Sequence, residues 1–252
     1  YIVNFAAQSE VGPSWEHPYH WIDTNVTSLA RLISALSKRR YIKRYVHISS
    51  PEVYGPCPAP INEDAPLNPS TPYAVSKAAA DMLLDVMCRF RGLPLVTIRA
   101  TNVYGAHQQL FKLIPRSVIY IRKGRVISLH GGGKAIKSYI HIRDVSRGTM
   151  RIMSEGEIGR VYHLSPDFGT PVRDVVRLIC DLMGNRFESV TEITEDRLAQ
   201  DAAYVIDSSS TRKKFDWEPS ITFEKGLKGV VDWVDQNWAT IEKEPLEYIH
   251  VR

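Results

Sequence analysis

The sequence predicts a doubly wound α/β fold on a parallel sheet, followed by a smaller mixed α/β lobe. Short apolar runs at residues 1–6, 44–49 and 94–98 have the length of buried strands. Longer stretches with helical periodicity separate these runs, which is the pattern of right-handed βαβ crossovers. After about residue 106 the alternation becomes irregular, and this change marks the predicted start of the smaller lobe.

The elements of the first part follow in order along the chain. Residues 1–6 (YIVNFA) form the first predicted strand. Apolar residues then recur at helical spacing from Val26 to Leu36, which predicts a helix. Asp23 or Thr24 is available as the N-cap of that helix.

The same alternation continues to the third strand. A strand at residues 44–49 precedes a helix from about Tyr73 to Arg91, and Gly92 ends that helix. Residues 94–98 (PLVTI) form the third strand. Three strands joined by helices of this length predict a parallel sheet.

The second part has a mixed pattern. A strand at residues 138–142 (SYIHI), with a helix beginning near Asp144, is expected to return to the main sheet. The other predicted elements are a helix near 111–123, a strand at 126–129, a glycine turn at 131–133 and helices near 171–183 and 223–238. The glycines precede KAIKSY rather than a helix, so they are interpreted as a turn and not as a phosphate-binding loop.

Composition narrows the class of protein. A chain of 252 residues, 44% of them hydrophobic, is long enough to enclose a substantial core. The net charge of +4 does not favour a nucleic-acid surface, although it suits an anionic small substrate. The three cysteines lack CxxC spacing and the histidines lack metal-binding spacing, which argues against a metal site. An odd number of cysteines without a disulfide pattern favours a reducing cytoplasm. The sequence has no apolar run of membrane-spanning length.

The sequence opens inside a strand pattern without an initiator Met, so we expect a fragment that lacks its N-terminal part.

Small and polar residues follow each of the three predicted strands. They are residues 6–9 (AAQS), 49–52 (SSPE) and 99–102 (RATN). In open parallel sheets, ligands bind beyond the carboxyl ends of the strands. We therefore expect these three segments to border one crevice.

Tyr73 and Lys77 are four residues apart and share one face of the predicted helix. An ammonium beside a phenol lowers the pKa of the phenol and can make it a usable base. The spacing by itself is weak evidence. Its position is more informative, because the helix follows the strand that ends at Ser50, and the three side chains could converge on one hydroxyl.

Eight segments, in order over the whole chain, carry a resemblance to a known family. They are FAAQS…TNV (5–9, 24–26), HISSPEVYG (47–55), PSTPYAVSKAAAD (69–81), RATNVYG (99–105), KLIP (112–115), YIHIRDV (139–145), EDRLAQDAAYVID (195–207) and WEPSITFEKGL (217–227). The chain resembles the extended short-chain dehydrogenase/reductases that act on nucleotide sugars, most of all the dTDP-glucose 4,6-dehydratases. The resemblance implies an N-terminally truncated, Rossmann-like NAD-binding domain at 1–106, to which about 138–155 returns. It implies a nucleotide-sugar-binding lobe over most of 107–252.

The resemblance also implies ligands and residue roles. It implies NAD held throughout turnover, a nucleotide-diphosphate sugar as substrate and a homodimer. The implied catalytic residues are Ser50, Glu52, Tyr73 and Lys77, the implied cofactor contacts are Ala6, Ala7, Ser49, Tyr73 and Lys77, and the implied substrate contacts are Asn102, Lys112, Lys137 and Arg197. Lys137 stands where relatives have an arginine, and a solvated surface role fits Lys112 and Lys137 nearly as well. On the helix at 73–91, Ala78, Met82 and Leu83 fit a dimer seam or ordinary core burial equally well.

The implied reaction is a 4,6-dehydration. Tyr73 takes the proton of the sugar C4 hydroxyl while the C4 hydride passes to NAD, and Glu52 then removes the C5 proton that the 4-ketone acidifies. Water leaves from C6, and the hydride returns to C6. In the dTDP-glucose enzymes an aspartate before this glutamate protonates the departing hydroxyl, whereas Pro51 has no proton to give. GDP-mannose dehydratases and UDP-glucuronate decarboxylases carry serine at that position.

Four interpretations stay open from the sequence. The first is the dehydratase, the second a 4-epimerase, for which Tyr73 and Ser50 suffice, and the third a decarboxylase. The fourth, suggested by Pro51 and the missing N-terminal part, is a non-enzymatic relative that only binds nucleotide sugars. Glu52 argues against the epimerase, because epimerisation at C4 needs no base for C5. The complete set of Ser50, Tyr73 and Lys77 argues against the non-enzymatic relative.

Overall fold

The computed structural model describes residues 1–195 and 203–250 of the chain. The strands are β1 (Ile2–Asn4), β2 (Tyr45–Ile48), β3 (Cys57–Ile61), β4 (Leu95–Ala100), β5 (Asn102–Tyr104), β6 (Ile127–His130), β7 (Ile136–Lys137), β8 (Tyr139–His141), β9 (Val161–Leu164), β10 (Thr170–Pro171), β11 (Thr191–Thr194) and β12 (Ala203–Ile206). The α-helices are α1 (Val11–Glu16), α2 (Pro18–Ile22), α3 (Leu29–Leu36), α4 (Pro72–Arg91), α5 (Leu113–Arg122), α6 (Ile142–Glu155), α7 (Val172–Leu182), α8 (Phe187–Val190), α9 (Ser209–Phe215), α10 (Phe223–Gln236) and α11 (Trp238–Ile241). A π-helical turn (Asp23–Ser28) joins α2 to α3, and 3₁₀ turns occupy Pro51–Tyr54 and Gly131–Gly133.

A parallel sheet of four strands, in the order β1-β2-β4-β9, forms the centre of the molecule. Val46 of β2 lies between Val3 of β1 and Val96 of β4. Successive residues of a strand point to opposite faces, so Val46 packs with α6 while Tyr45 packs with α3 and α4. The predicted doubly wound class and its three strands are confirmed. The fourth strand, β9, is not among the strands that the sequence analysis predicts.

The predicted N-cap at Asp23 or Thr24 is wrong. The helical segment begins earlier, at Pro18 after the N-cap residue His17, and continues through the π turn into α3. The buried side chain of Asn25 lies in the π turn, where its Nδ2 donates to Gln8 O at 2.9 Å and to Ser76 Oγ at 2.9 Å. These tertiary contacts explain why the chain stays helical where a local cap was expected.

The strand predicted at 138–142 does not return to the main sheet. As β8 it pairs in parallel with β5, with Asn102 opposite Tyr139. The helix after it, α6, does pack on the main sheet through Val145 and Ile152. The division of the chain at about residue 106 stays a prediction.

The smaller lobe has its own core, formed where α5, α7 and α10 pack together through Val118, Val176 and Val230. Strands in the order β10-β7-β12-β3 form its sheet, and β6 pairs with β11. The predicted turn at 131–133 is confirmed, because its three glycines have φ values of 56°, 69° and 64°. Over residues 1–195 and 203–250, we find no helix with the length and apolar content that crossing a membrane requires.

Candidate active site

The turn after β2 presents a hydroxyl and a carboxylate one residue apart. Ser50 precedes the 3₁₀ turn, and its Oγ accepts a hydrogen bond from Glu52 N at 3.3 Å. Pro51 occupies the first position of the turn, where its missing N–H costs no hydrogen bond. Gly55 ends the turn with a φ of 70°, and a Cβ there would lie 2.1 Å from Asn68 O. The sequence therefore fixes the backbone of this corner on both sides of Glu52.

The start of α4 places Tyr73 beside this turn. The Thr71 side chain caps the helix by accepting from Ala74 N at 3.1 Å. Ser14 Oγ, from α1, accepts from Tyr73 N at 3.2 Å and binds the two helices together. The Ser50 side chain is close enough to the Tyr73 phenol to lower the pKa of that phenol. The predicted convergence of Ser50 and Tyr73 is thus present in the structure.

The predicted lowering of the Tyr73 pKa by Lys77 is not observed. Burial raises the pKa of the phenol well above its ordinary value, and the Glu52 charge raises it further, while the Ser50 hydrogen bond acts in the opposite direction. A phenol that gains a negative charge in a buried, already negative setting is harder to ionise. The Tyr73 pKa would have to fall from this value before the phenolate could act as a base at neutral pH.

Lys77 lies one turn along α4 and is 3% exposed. Its Nζ donates to Ile48 O at 2.8 Å, at the carboxyl end of β2. Burial lowers the pKa of the ammonium to about 8, and the Asp81 charge partly opposes this shift. Lys77 is thus fixed at the crevice, close to the pH range in which it can lose its charge.

A buried polar network lies behind these residues. Asp81 Oδ2 accepts from Ser49 Oγ at 2.8 Å and from Arg99 Nη2 at 2.7 Å. His47 Nε2 is 3.4 Å from Asp81 Oδ1. Ser49, expected from the resemblance to contact the cofactor, therefore has its hydroxyl engaged by Asp81. His47 is a buried partner of the same carboxylate, and its pKa is lowered by burial.

Ala6 and Ala7 follow β1 at the same edge of the sheet, where Ala6 is exposed and Ala7 half-buried. A cavity of about 690 Å³ opens at this edge, and Ile48, Ala100 and Asn102 contribute to its wall. Ser9 of the first predicted segment and Ala100 and Asn102 of the third line this cavity, whereas no residue of 49–52 is in its wall. That all three segments border one crevice stays a prediction.

A second cavity, of about 350 Å³, brings together three of the four residues expected to contact substrate. These are Asn102, Lys112 and Lys137, and Arg116 adds a further positive charge to the wall. Arg197 lies outside the residues that the structure describes. A cavity with several cationic side chains suits a ligand that carries phosphate groups.

Sequence reasoning missed Glu10 and the C-terminal segment at the second cavity. Glu10 forms an ion pair with Lys112, and Tyr248 packs edge-to-face on Phe111 at 5.3 Å between ring centroids. His250, at the end of the same segment, stacks on Trp21 at 5.4 Å. No motif marks these residues, because each contact joins positions more than a hundred residues apart.

Comparison with known proteins decides the family. The family model described as GDP-mannose 4,6 dehydratase matches residues 1–230. The chain belongs to this family. A dTDP-glucose 4,6-dehydratase of Mycolicibacterium smegmatis is 34% identical, over 98% of this chain and 76% of that protein. A trifunctional UDP-glucose 4,6-dehydratase/3,5-epimerase/reductase of Arabidopsis thaliana is also 34% identical, over 94% of this chain.

Among solved structures, the dTDP-glucose 4,6-dehydratase DesIV of Streptomyces venezuelae, with NAD bound, superposes with a TM-score of 0.92. It is 30% identical, and the match covers 98% of this chain and 76% of that one. The chain spans 36% of the length of the plant enzyme. The family and fold class expected from the sequence are confirmed, and the enzyme class agrees with the names of these relatives.

Proposed function

We propose that the full-length protein is an NAD-dependent nucleotide-sugar 4,6-dehydratase. One observation carries the proposal: Glu52 lies two residues beyond Ser50, and its carboxylate is close enough to Tyr73 for its charge to act on the phenol. This arrangement supports roles for Ser50 and Tyr73 in oxidation at C4 and for Glu52 as the base at C5. The bacterial relatives named dTDP-glucose 4,6-dehydratases support the same reaction.

The residues of this crevice fit the nicotinamide side of NAD. The short side chains of Ala6 and Ala7 leave room at the end of β1. Lys77 holds a buried ammonium against Ile48, a residue of the larger cavity, and an ammonium has donors beyond the one that Ile48 O accepts. When bound, NAD supplies the acceptor for the C4 hydride and the source of the hydride for C6. Its nicotinamide charge would also oppose the effect of burial on the Tyr73 pKa.

The roles of the protein groups follow from their positions. Tyr73 takes the C4 hydroxyl proton, with Ser50 holding that hydroxyl and Lys77 supplying positive charge from the next turn of α4. Glu52 removes the C5 proton once C4 is a ketone. Lys112 and Lys137 bind the diphosphate in the cavity of about 350 Å³, and Asn102 at the border of both cavities positions the sugar.

A homodimer in the cytoplasm belongs to the same proposal. Met82 and Phe90 on α4 are 63% and 72% exposed, and Val86 between them is 44% exposed, so one face of this helix presents an apolar row. Ala78 of the expected seam is instead buried in the core with Val53. The three cysteines are free thiols, which suits a reducing compartment.

The test is Glu52→Gln in the full-length protein. We expect this variant to oxidise C4, so that reduced nicotinamide accumulates, but to lose exchange of the C5 proton with solvent deuterium. A panel of dTDP, UDP and GDP sugars, followed by mass spectrometry, would first identify the substrate. If the wild type forms a 4-epimer and shows no exchange at C5, the 4-epimerase becomes the correct assignment.

A further inference from the structure

Glu10 links the second cavity to the helix α1, which contacts Tyr73. It is the N-cap residue of α1, the helix whose Ser14 holds the backbone of Tyr73. Its carboxylate lines the second cavity and forms an ion pair with Lys112. The Glu10 side chain is 19% exposed, so it is accessible from the cavity. The helix α1 thus contacts Tyr73, the proposed base, through Ser14 and carries the Glu10 carboxylate at its start.

Glu10 is one of the charged groups that act on the Tyr73 phenol. Three carboxylates raise the pKa of the Tyr73 phenol: Glu52, Glu10 and Asp81. Asp81 is 7% exposed and is engaged by Arg99 and Ser49, so it is not available to a substrate. Glu52 is already assigned to C5. Glu10 is therefore the acid in this group that remains for a second role.

We propose that Glu10 is the general acid that protonates the departing C6 hydroxyl, the role that Pro51 cannot fill. This inference rests on the proposed 4,6-dehydratase function. Glu52 takes the C5 proton, and the electrons of the C5–H bond form the C5–C6 double bond. The C6–O bond breaks, its electron pair stays on oxygen, and the proton of Glu10 completes the water molecule. Glu10 is left as a carboxylate, and Glu52 holds the proton that C5 would take back when C6 receives the hydride that NAD would supply.

The ion pair with Lys112 couples protonation of Glu10 to substrate binding. In the structure described, the Glu10 carboxylate is paired with the Lys112 ammonium. A substrate diphosphate in the second cavity draws Lys112 to itself and brings negative charge near Glu10. Losing a cation and gaining anions both favour the protonated carboxylic acid. Substrate binding therefore converts Glu10 into an acid.

The decisive experiment compares Glu10→Gln with Glu16→Gln, a control on the exposed end of the same helix. Glu10→Gln should keep C5 exchange but eliminate water about 10²–10⁴-fold more slowly. A 6-deoxy-6-fluoro analogue of the substrate should restore the rate of elimination in Glu10→Gln, because fluoride leaves without being protonated. Fluoride release by Glu10→Gln should match that of the wild type, and Glu16→Gln should be normal with both substrates.

Binding provides a second readout that does not depend on turnover. Titration calorimetry with UDP and dTDP, in buffers of different ionisation enthalpy, should show proton uptake by the wild type and none by Glu10→Gln. Normal dehydration by Glu10→Gln, or equal loss with the hydroxyl and fluoro substrates, would overturn the proposal. Absence of C5 exchange in the wild type would instead overturn the dehydratase function itself.

Discussion

At Gly226 of α10 the packing of the smaller lobe leaves no room for a side chain. A Cβ at this position would lie 2.1 Å from Tyr104 Oη and 2.8 Å and 2.9 Å from two atoms of its ring. Tyr104 is 2% exposed and is enclosed by Tyr139 and Phe223, so its ring cannot move aside freely. We expect Gly226→Ala to destabilise the protein by overpacking, which typically costs about 1–3 kcal/mol.

The same helix offers a matched control. Gly229 is exposed, and a Cβ there would meet nothing within 4 Å. Both substitutions gain helix propensity of about 1 kcal/mol, so the difference between Gly226→Ala and Gly229→Ala isolates the clash. Thermal unfolding should separate the two variants by roughly 2–4 °C per kcal/mol. Tyr104→Phe, which removes the nearest atom, should rescue part of the loss when combined with Gly226→Ala. Equal melting temperatures for the two alanine variants would refute this reasoning.

Three other predictions test the site and its support. Tyr73→Phe should slow hydride transfer by about 10²–10⁴-fold without loss of fold; unchanged formation of reduced nicotinamide in a single turnover would contradict its role. Burial lowers the pKa of His163 to about 4 from 6.5. The unfolded chain therefore binds this proton first as pH falls below 6.5, and one such group lowers the free energy of unfolding by about 2 kcal/mol between pH 7 and pH 5. Urea titrations of wild type and His163→Gln at both pH values check this, and parallel losses in the two proteins would count against it. Gly55→Ala forces a Cβ against Asn68 O at a φ of 70°, so it should lower the melting temperature and the activity together; a fully active, equally stable variant would show that the turn can adjust.

The sequence by itself determined the elements whose causes are local. The strands β1, β2 and β4 are short apolar runs. The boundaries of α4 are set by residues at its two ends. Thr71 caps it, Pro72 occupies its first position, and Gly92 ends it with a φ of 69°. Strand ends and the helix that follows then locate Ser50, Glu52, Tyr73 and Lys77 near one another, since a parallel sheet aligns its carboxyl ends.

Only the tertiary structure decided what depends on distant partners and on burial. The early start of the helix before α3 reflects the bonds of Asn25 to Gln8 and Ser76, and β8 leaves the main sheet to pair with β5. Glu10 meets Lys112 across 102 positions of sequence, so no local pattern could reveal the pair. The direction of the Tyr73 pKa shift was likewise wrong from sequence. Spacing places an ammonium one helical turn from a phenol, but burial of the phenol and the neighbouring carboxylates both raise its pKa.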